Sequence, residues 1–560
     1  MVSTLILGAI VGGVFVFIGI IIVLILLLKP KKSKVISDAS KIVTKSDGPL
    51  FVIDKIIVPN IPEYKDLTKV DIRYDLVPPY AFARIKWDFE NTELVYYIEE
   101  PQLNVQEKKV LDTLEEGIKE LINLSYISVK DSNTILVYLE KNIKVLLTEL
   151  AIKLTQESYL KIMYYIYRDF VGLNELEPLM NDFYIEDIEC NGLNSSIYVV
   201  HRKFRNLRTN LIYKDMHELA SFVEKLAQKS GKYISYAEPL LDGSLPDGSR
   251  VNASYTTDVT SKGPTYTIRK FTKEPWSPIQ LMQKGTVSAE VLAYLWMLIE
   301  YEHSLMVIGG TGSGKTTMLN VIAFFIPPQA RVVTIEDTRE LSLEHENWLP
   351  SVARGGVGLT NLVGQKYGEV SLFDLLKESF RQRPDYVIVG EVRGKEAYVL
   401  MQGIASGHPS MGTMHADSVV TMIQRLETPP INLSGSLINS LSAVCVIDQT
   451  RVKGKNVRRI TSIDEIVEIH EKGRGDKINT VFRWNAATDT FGFNPNSVVF
   501  KEISVHFGIP EQQLMTEFKL RTQLMITLYK KRIYLFQEVQ KVIQEYYKDP
   551  KAVLKRFGLI

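Results

Sequence analysis

At 560 residues the chain is too long for one hydrophobic core, and its 45% apolar and 10% aromatic content is ample for several packed units. Lysine and arginine total 66 against 65 aspartates and glutamates, so there is no bulk electrostatic case for nucleic acid or an acidic substrate. Two cysteines, Cys190 and Cys445, exclude a disulfide framework and a four-thiolate zinc site; they fit a reducing cytoplasm and read as small buried apolar residues.

Residues 4–28 hold no charge. At about 1.5 Å per helical residue they reach roughly 37 Å, against a bilayer core of about 30 Å, and are expected to span a membrane. Lys29, Lys31, Lys32 and Lys34 follow at once. The positive-inside rule then predicts a single pass, N-terminus outside, with the remainder at the cytoplasmic face of the cell membrane. A cleaved signal peptide fits less well, because a basic leading region and a small-residue cleavage site are both missing.

Residues 29–74 are polar and read as a linker. Residues 75–180 read as a hairpin and helical region: 81–99 alternate apolar and polar, while 110–127 and 134–170 carry apolar residues at helical spacing. In 181–277 strand-like stretches at 196–200, 251–255 and 265–271 predict a mixed α/β domain. Residues 278–455 begin with a helix at 289–301, and an apolar run at 304–308 then enters a glycine-rich loop, the strand-loop-helix order of a parallel α/β sheet. Residues 456–560 are expected to hold strands around 463–469 and 480–484, followed by helices. Within the tail, 511–547 combine an apolar stripe with many charges and predict a packed helix with a solvated outer face.

The loop itself, Gly309, Gly310, Thr311, Gly312, Ser313, Gly314, Lys315, Thr316 and Thr317, fits G-x-x-x-x-G-K-T. Consecutive backbone amides must turn inward to meet phosphate oxygens, and glycines permit the required conformations. Lys315 is expected to reach the β and γ phosphates and Thr316 to place its hydroxyl on Mg²⁺. Downstream, the apolar run 386–389 ends in Gly390 and Glu391. A carboxylate ending a strand adjacent to the loop can hold magnesium's water or orient an attacking water. Upstream, 332–335 run into Glu336 and Asp337, a second carboxylate-ended strand and a general-base candidate on the same side of the loop. His415 lies between Thr413 and Asp417 and could sense the γ phosphate. Thr68, Lys69 and Asp71 match a guanine-reading T-K-x-D signature but precede the glycine loop instead of following it, so they are set aside.

Together G-G-T-G-S-G-K-T-T, I-E-D-T-R-E, R-Q-R-P-D-Y-V-I-V-G-E-V-R-G and G-T-M-H-A-D-S resemble, in order and spacing, the Walker A, Asp box, atypical Walker B and His box of the type II and type IV secretion ATPases. L-P-D-G-S-R-V-N-A-S-Y followed by T-I-R-K-F is similar to that family's N-terminal domain, and the likeness covers about residues 75–560. R-P-D-Y, G-E-V-R-G and the helical tail look most like its archaeal branch, which powers pili and the archaellum. The resemblance implies a RecA-like P-loop NTPase domain preceded by a mixed α/β N-terminal domain, working as a ring, usually a homohexamer, on ATP and Mg²⁺. It implies Glu336 and Glu391 as catalytic carboxylates, Glu391 with Thr316 on magnesium, and His415 as sensor. Arg250 and Arg269 would reach toward the γ phosphate, with Arg381, Arg383 and Arg393 as further candidates. A polytopic membrane protein would receive the motion and assemble a filament or secrete protein; no direct nucleic-acid contact is expected. The archaellum motor, a conjugation-type ATPase moving DNA and a non-hydrolysing nucleotide-binding scaffold remain alternatives. An intrinsic anchor is unusual for the family, and its bacterial tetracysteine zinc element is missing here.

Overall fold

The computed structural model describes residues 50–62, 64–124, 132–271, 275–356, 367–470 and 476–560, which divide into two compact units. The expected membrane-spanning stretch at 4–28 lies outside them. Among the described residues no helix is long and apolar enough to cross a membrane, and the single-pass localisation is withdrawn on that finding.

The first unit takes in residues 50–57, 75–82 and 99–178 of the described chain and is mainly helical, with helices Val105–Leu124, Ser132–Glu149 and Gln156–Ile166. The single helix expected over 134–170 is broken. Ala151 turns into the left-handed region at φ 52°, and the Thr155 hydroxyl accepts from the Ser158 amide at 3.2 Å, starting a new helix instead of continuing the old one. Buried Arg168 is held by Asp169 at 2.8 Å and Glu100 at 3.0 Å.

Two nine-stranded sheets are drawn chiefly from residues of the second unit. The first comprises β1 (Asp71–Val77), β2 (Ala81–Asp88), β3 (Glu93–Glu99), β4 (Ile185–Cys190), β5 (Ser196–His201), β6 (Arg205–Ile212), β7 (Leu240–Ser244), β8 (Arg250–Ser254) and β9 (Thr265–Arg269), in the order β1-β2-β3-β6-β5-β4-β9-β8-β7. Helix Met216–Lys229 is started by Asp215, which accepts from the Glu218 amide, and sets Phe222 5.3 Å from Tyr266 of β9.

The other sheet is ordered β12-β11-β13-β14-β10-β15-β16-β17-β18, from β10 (Leu305–Gly309), β11 (Val332–Glu336), β12 (Trp348–Val352), β13 (Tyr386–Val392), β14 (Ser410–His415), β15 (Ala443–Val452), β16 (Lys455–Glu468), β17 (Lys477–Asn485) and β18 (Thr490–Phe493). The ladders from β12 through β15 are parallel and the last three antiparallel. One sheet therefore runs unbroken across the expected boundary at 455.

Its central strands β10, β11 and β13 are mainly apolar and almost wholly buried because both faces are covered. Leu305 and Val307 join a core with helices Ala289–Glu300 and Lys315–Ala323 and the C-terminal tail. Met306 and Ile308 point oppositely, to helices Leu372–Ser379, Glu396–Ala405 and Val419–Glu427. The tail is more than a solvated cover. Arg521 is 2% exposed, bonded to Glu517 at 2.9 Å, paired with Glu300 and stacked over Trp296 at 4.6 Å, so this charge of the segment 511–547 belongs to the interior.

Glu465, in β16, is fully buried yet satisfied: it accepts from the Tyr294 hydroxyl at 2.7 Å, Asn479 at 2.6 Å, the Val498 amide at 2.7 Å and the Ser497 hydroxyl. Glu465→Ala strands these donors in a dry site and should destabilise the fold by about 3–5 kcal/mol, read from equilibrium unfolding. A loss below about 1 kcal/mol would mean the donors find other partners.

Candidate functional site

Gly309 closes β10, and the helix Lys315–Ala323 opens six residues further on. Two demands make the residues between them glycine-rich. A Cβ on Gly309 would lie 2.1 Å from the Ile447 carbonyl oxygen, and Gly312 and Gly314 sit at φ 70° and 97°. The loop is folded upon one acceptor. The Gly310 carbonyl receives the Lys315 ammonium at 2.8 Å and the Ser313 hydroxyl at 2.9 Å. Lys315 is 8% exposed; burial lowers its pKa, against the pull of Glu391. Thr316 and Thr317 are half-buried on the first turn of the helix.

The Glu391 strand is not the loop strand's neighbour, contrary to the expectation from sequence. β14 lies between β13 and β10, and its last residue, His415, pairs in register with Gly309. Both carboxylate-ended strands, β11 and β13, stand on the β14 side of the loop. A break in register between Val389 and Val392 re-aims Glu391. It is held by the Thr413 hydroxyl, which donates to the Gly390 carbonyl at 2.6 Å.

Glu391 bonds Arg393, and its Oε1 lies 3.3 Å from His415 Nε2, close enough for attraction though not aligned as a hydrogen bond. Burial acts to raise the Glu391 carboxyl, but Arg393, His415 and Lys315 outweigh it and hold it below its ordinary value. His415 is lowered, by burial first and then by Lys315, and is neutral at pH 7.

Glu336 is in a different state. It is 2% exposed; Oε1 accepts from the amides of Glu340 and Leu341, each at 2.9 Å, and Oε2 has no partner among the described residues. Burial pushes its carboxyl up to about 7. Its side chain lies against Gly390, where a Cβ would come within 3.0 Å of Glu336 Cγ. This explains why glycine stands where the usual Walker B motif has aspartate.

The remaining candidates are dispersed. Arg250 and Arg269 oppose each other on the β8–β9 ladder and are engaged by Asp242 at 3.1 Å and Asp187 at 3.2 Å. Arg250 still makes itself felt at Asp337, whose pKa burial raises while Arg393 and Arg250 oppose. Arg393 reaches Asp337 at 3.7 Å, which gathers Arg393, Asp337, Glu391 and His415. Arg381 is exposed beside Glu378 at 3.9 Å, and Arg383 is exposed in a left-handed turn at φ 52°. Sequence reading overlooked Glu396, whose carboxylate accepts from the amides of Arg393 and Gly394, each at 2.6 Å, and so fixes the turn that carries Arg393. The clue was present: a glutamate two residues after a glycine, opening a helix.

A glycine loop between a buried parallel strand and a helix, with acids ending strands on one side of it, is the arrangement of a P-loop protein. The family described as type II/IV secretion system protein matches residues 173–478, more than half of the chain, which belongs to that family. An uncharacterized protein of Methanocaldococcus jannaschii is 39% identical over 400 residues, 71% of this chain and 71% of its own. The protein VirB11 of Rhizobium radiobacter is 28% identical over 281 residues, 45% of this chain and 79% of its own. Among solved structures, the VirB11 ATPase from the Brucella suis type IV secretion system, in complex with sulphate, covers 51% of this chain and 92% of its own at 23% identity and a TM-score of 0.26.

Proposed function

We propose that this chain is an ATP-hydrolysing motor that powers assembly of a type IV pilus-like filament or protein secretion across a membrane. The observation that carries the reading is the convergence of Lys315, which opens the helix after β10, with His415 and Glu391 at the ends of β14 and β13, the next strands in the sheet, and with Glu336 at the end of β11 beyond. The residues suit MgATP. A Cβ at Gly309 would strike the Ile447 carbonyl and the Ser313 hydroxyl of the loop Gly309 to Thr317, and Glu336 Oε2 is a buried acceptor with no partner among the described residues. Thr316 and Glu391 would hold magnesium together with the nucleotide's phosphates, Glu391 partly through water.

Bound MgATP would supply the phosphoanhydride bond whose cleavage drives the motor. Lys315 would exchange the Gly310 carbonyl for phosphate oxygens. Glu336 Oε2, titrating near neutrality, would take the proton of the attacking water, and ionised Glu391 would hold magnesium's water shell. His415, neutral and beside Glu391, would sense the terminal phosphate. Arg393 would add positive charge, as would Arg250 and Arg269 once they leave Asp242 and Asp187. The chain would work as a homohexamer against a polytopic membrane platform protein, without touching nucleic acid.

A host strain carrying Lys315→Ala tests this reading. It should lose surface filaments or the export of secreted proteins, and the purified wild-type protein with MgATP should have the mass of six copies. Intact filaments and export with lost DNA transfer would favour a conjugation motor instead, and lost swimming alone the archaellum.

A further inference from the structure

We propose that Arg458 is a positioning residue of the nucleotide loop, holding the Gly312 carbonyl outward so that the following amide stays turned toward the phosphates; this rests on the ATPase reading above. The β15–β16 hairpin arches over the loop and touches three of its glycines. The Ile447 carbonyl oxygen is the atom that forbids a side chain at Gly309. Arg458 pairs across the ladder with Gln449, whose side-chain oxygen is 3.9 Å from where a Gly312 Cβ would be. From there Arg458 Nε donates to the Gly312 carbonyl at 3.0 Å, and its Cδ lies 3.3 Å from the Cβ position of Gly314.

A trans peptide points its carbonyl and the next N–H in opposite directions. Turning the Gly312 oxygen to the guanidinium therefore turns the Ser313 N–H into the loop, where it meets the Gly310 oxygen at 3.4 Å. Glycine lets that peptide rotate freely, so a fixed donor outside the loop matters more here than it would beside a residue with a side chain. The neighbouring arginine has a different task. Arg459 is 5% exposed and locked to Asp489 at 2.8 Å, whereas Arg458 is exposed and its Nη groups have no partner among the described residues. Its cation stays over the loop.

The test compares full-length wild type, Arg458→Ala and Arg458→Lys for MgADP and MgATP affinity with a fluorescent nucleotide, for kcat and KM, and for the melting temperature without nucleotide. Loss of a charge-assisted hydrogen bond should raise both dissociation constants about tenfold in Arg458→Ala. KM should rise more than kcat falls, the nucleotide-free melting temperature should hold, and Arg458→Lys should recover most of the affinity. Wild-type affinity in Arg458→Ala overturns the inference, as does weak binding accompanied by a lowered melting temperature that lysine does not restore. A wild-type protein that binds no nucleotide overturns the ATPase reading and takes this inference with it.

Discussion

Lys315→Ala should lose both tight nucleotide binding and turnover, whereas Glu391→Gln should bind ATP and fail to cleave it. Lys315 is bonded to the Gly310 carbonyl that the Ser313 hydroxyl shares, and its removal takes away the ammonium that would face the phosphates. Glu391 stands two strands away from β10, behind His415, and contacts no loop atom in the described hydrogen bonds. Its amide variant keeps the volume and loses the charge that Arg393 and His415 face. Turnover should fall about 10²- to 10³-fold in each, the cost of removing one preorganised charge from a water-poor site, while nucleotide affinity should fall only in the lysine variant. Steady phosphate release at the wild-type rate from either protein would remove the mechanism. Tight ATP binding by an oligomeric wild type that never turns over would make the chain a scaffold.

Glu336→Gln should stabilise the nucleotide-free protein at alkaline pH while abolishing its turnover. Burial holds the carboxyl at about 7 in the folded state against an ordinary 4.5, because the charged form loses water and Oε2 has no partner among the described residues. Its protonated form is thus the one the fold favours. That contribution is complete below pH 4.5 and is lost as pH rises through 7; by pH 8–9 ionisation costs about 3 kcal/mol, from the size of the shift. Glutamine cannot ionise and escapes the cost. The melting temperature of the variant should match wild type below about pH 4.5, exceed it increasingly from there to about pH 7, and keep that margin toward pH 9. Wild-type turnover should rise with pH through about 7 as Oε2 becomes able to accept a proton. Parallel melting curves for the two proteins across this range would show that Glu336 carries no such charge, and a variant that hydrolyses ATP would exclude it as the base.

The loop, both carboxylates and His415 were all legible in the chain, because each occupies a short local pattern: an apolar run, a turn and a charged residue at its end. The same locality explains the misses. Nothing in residues 386–391 reveals that β14 enters between them and the loop strand, since strand order is set by connections of many residues and by which faces the helices can cover. The glycine at 390 departs from the usual motif because Glu336, 54 positions earlier, lies against it, where a side chain at 390 would crowd its Cγ.

Arg458 and Arg521 make the same point from opposite directions. Each is one arginine among many on a charged segment, and their sequences are silent about which is wrapped in tyrosine and tryptophan and which hangs over a glycine loop. Period, charge and turn chemistry act over a few residues and are written into the order of the chain. The neighbour across a sheet, and with it the burial that moves a carboxyl toward neutrality, follows from long-range packing, in which one contact depends on the placement of all the others.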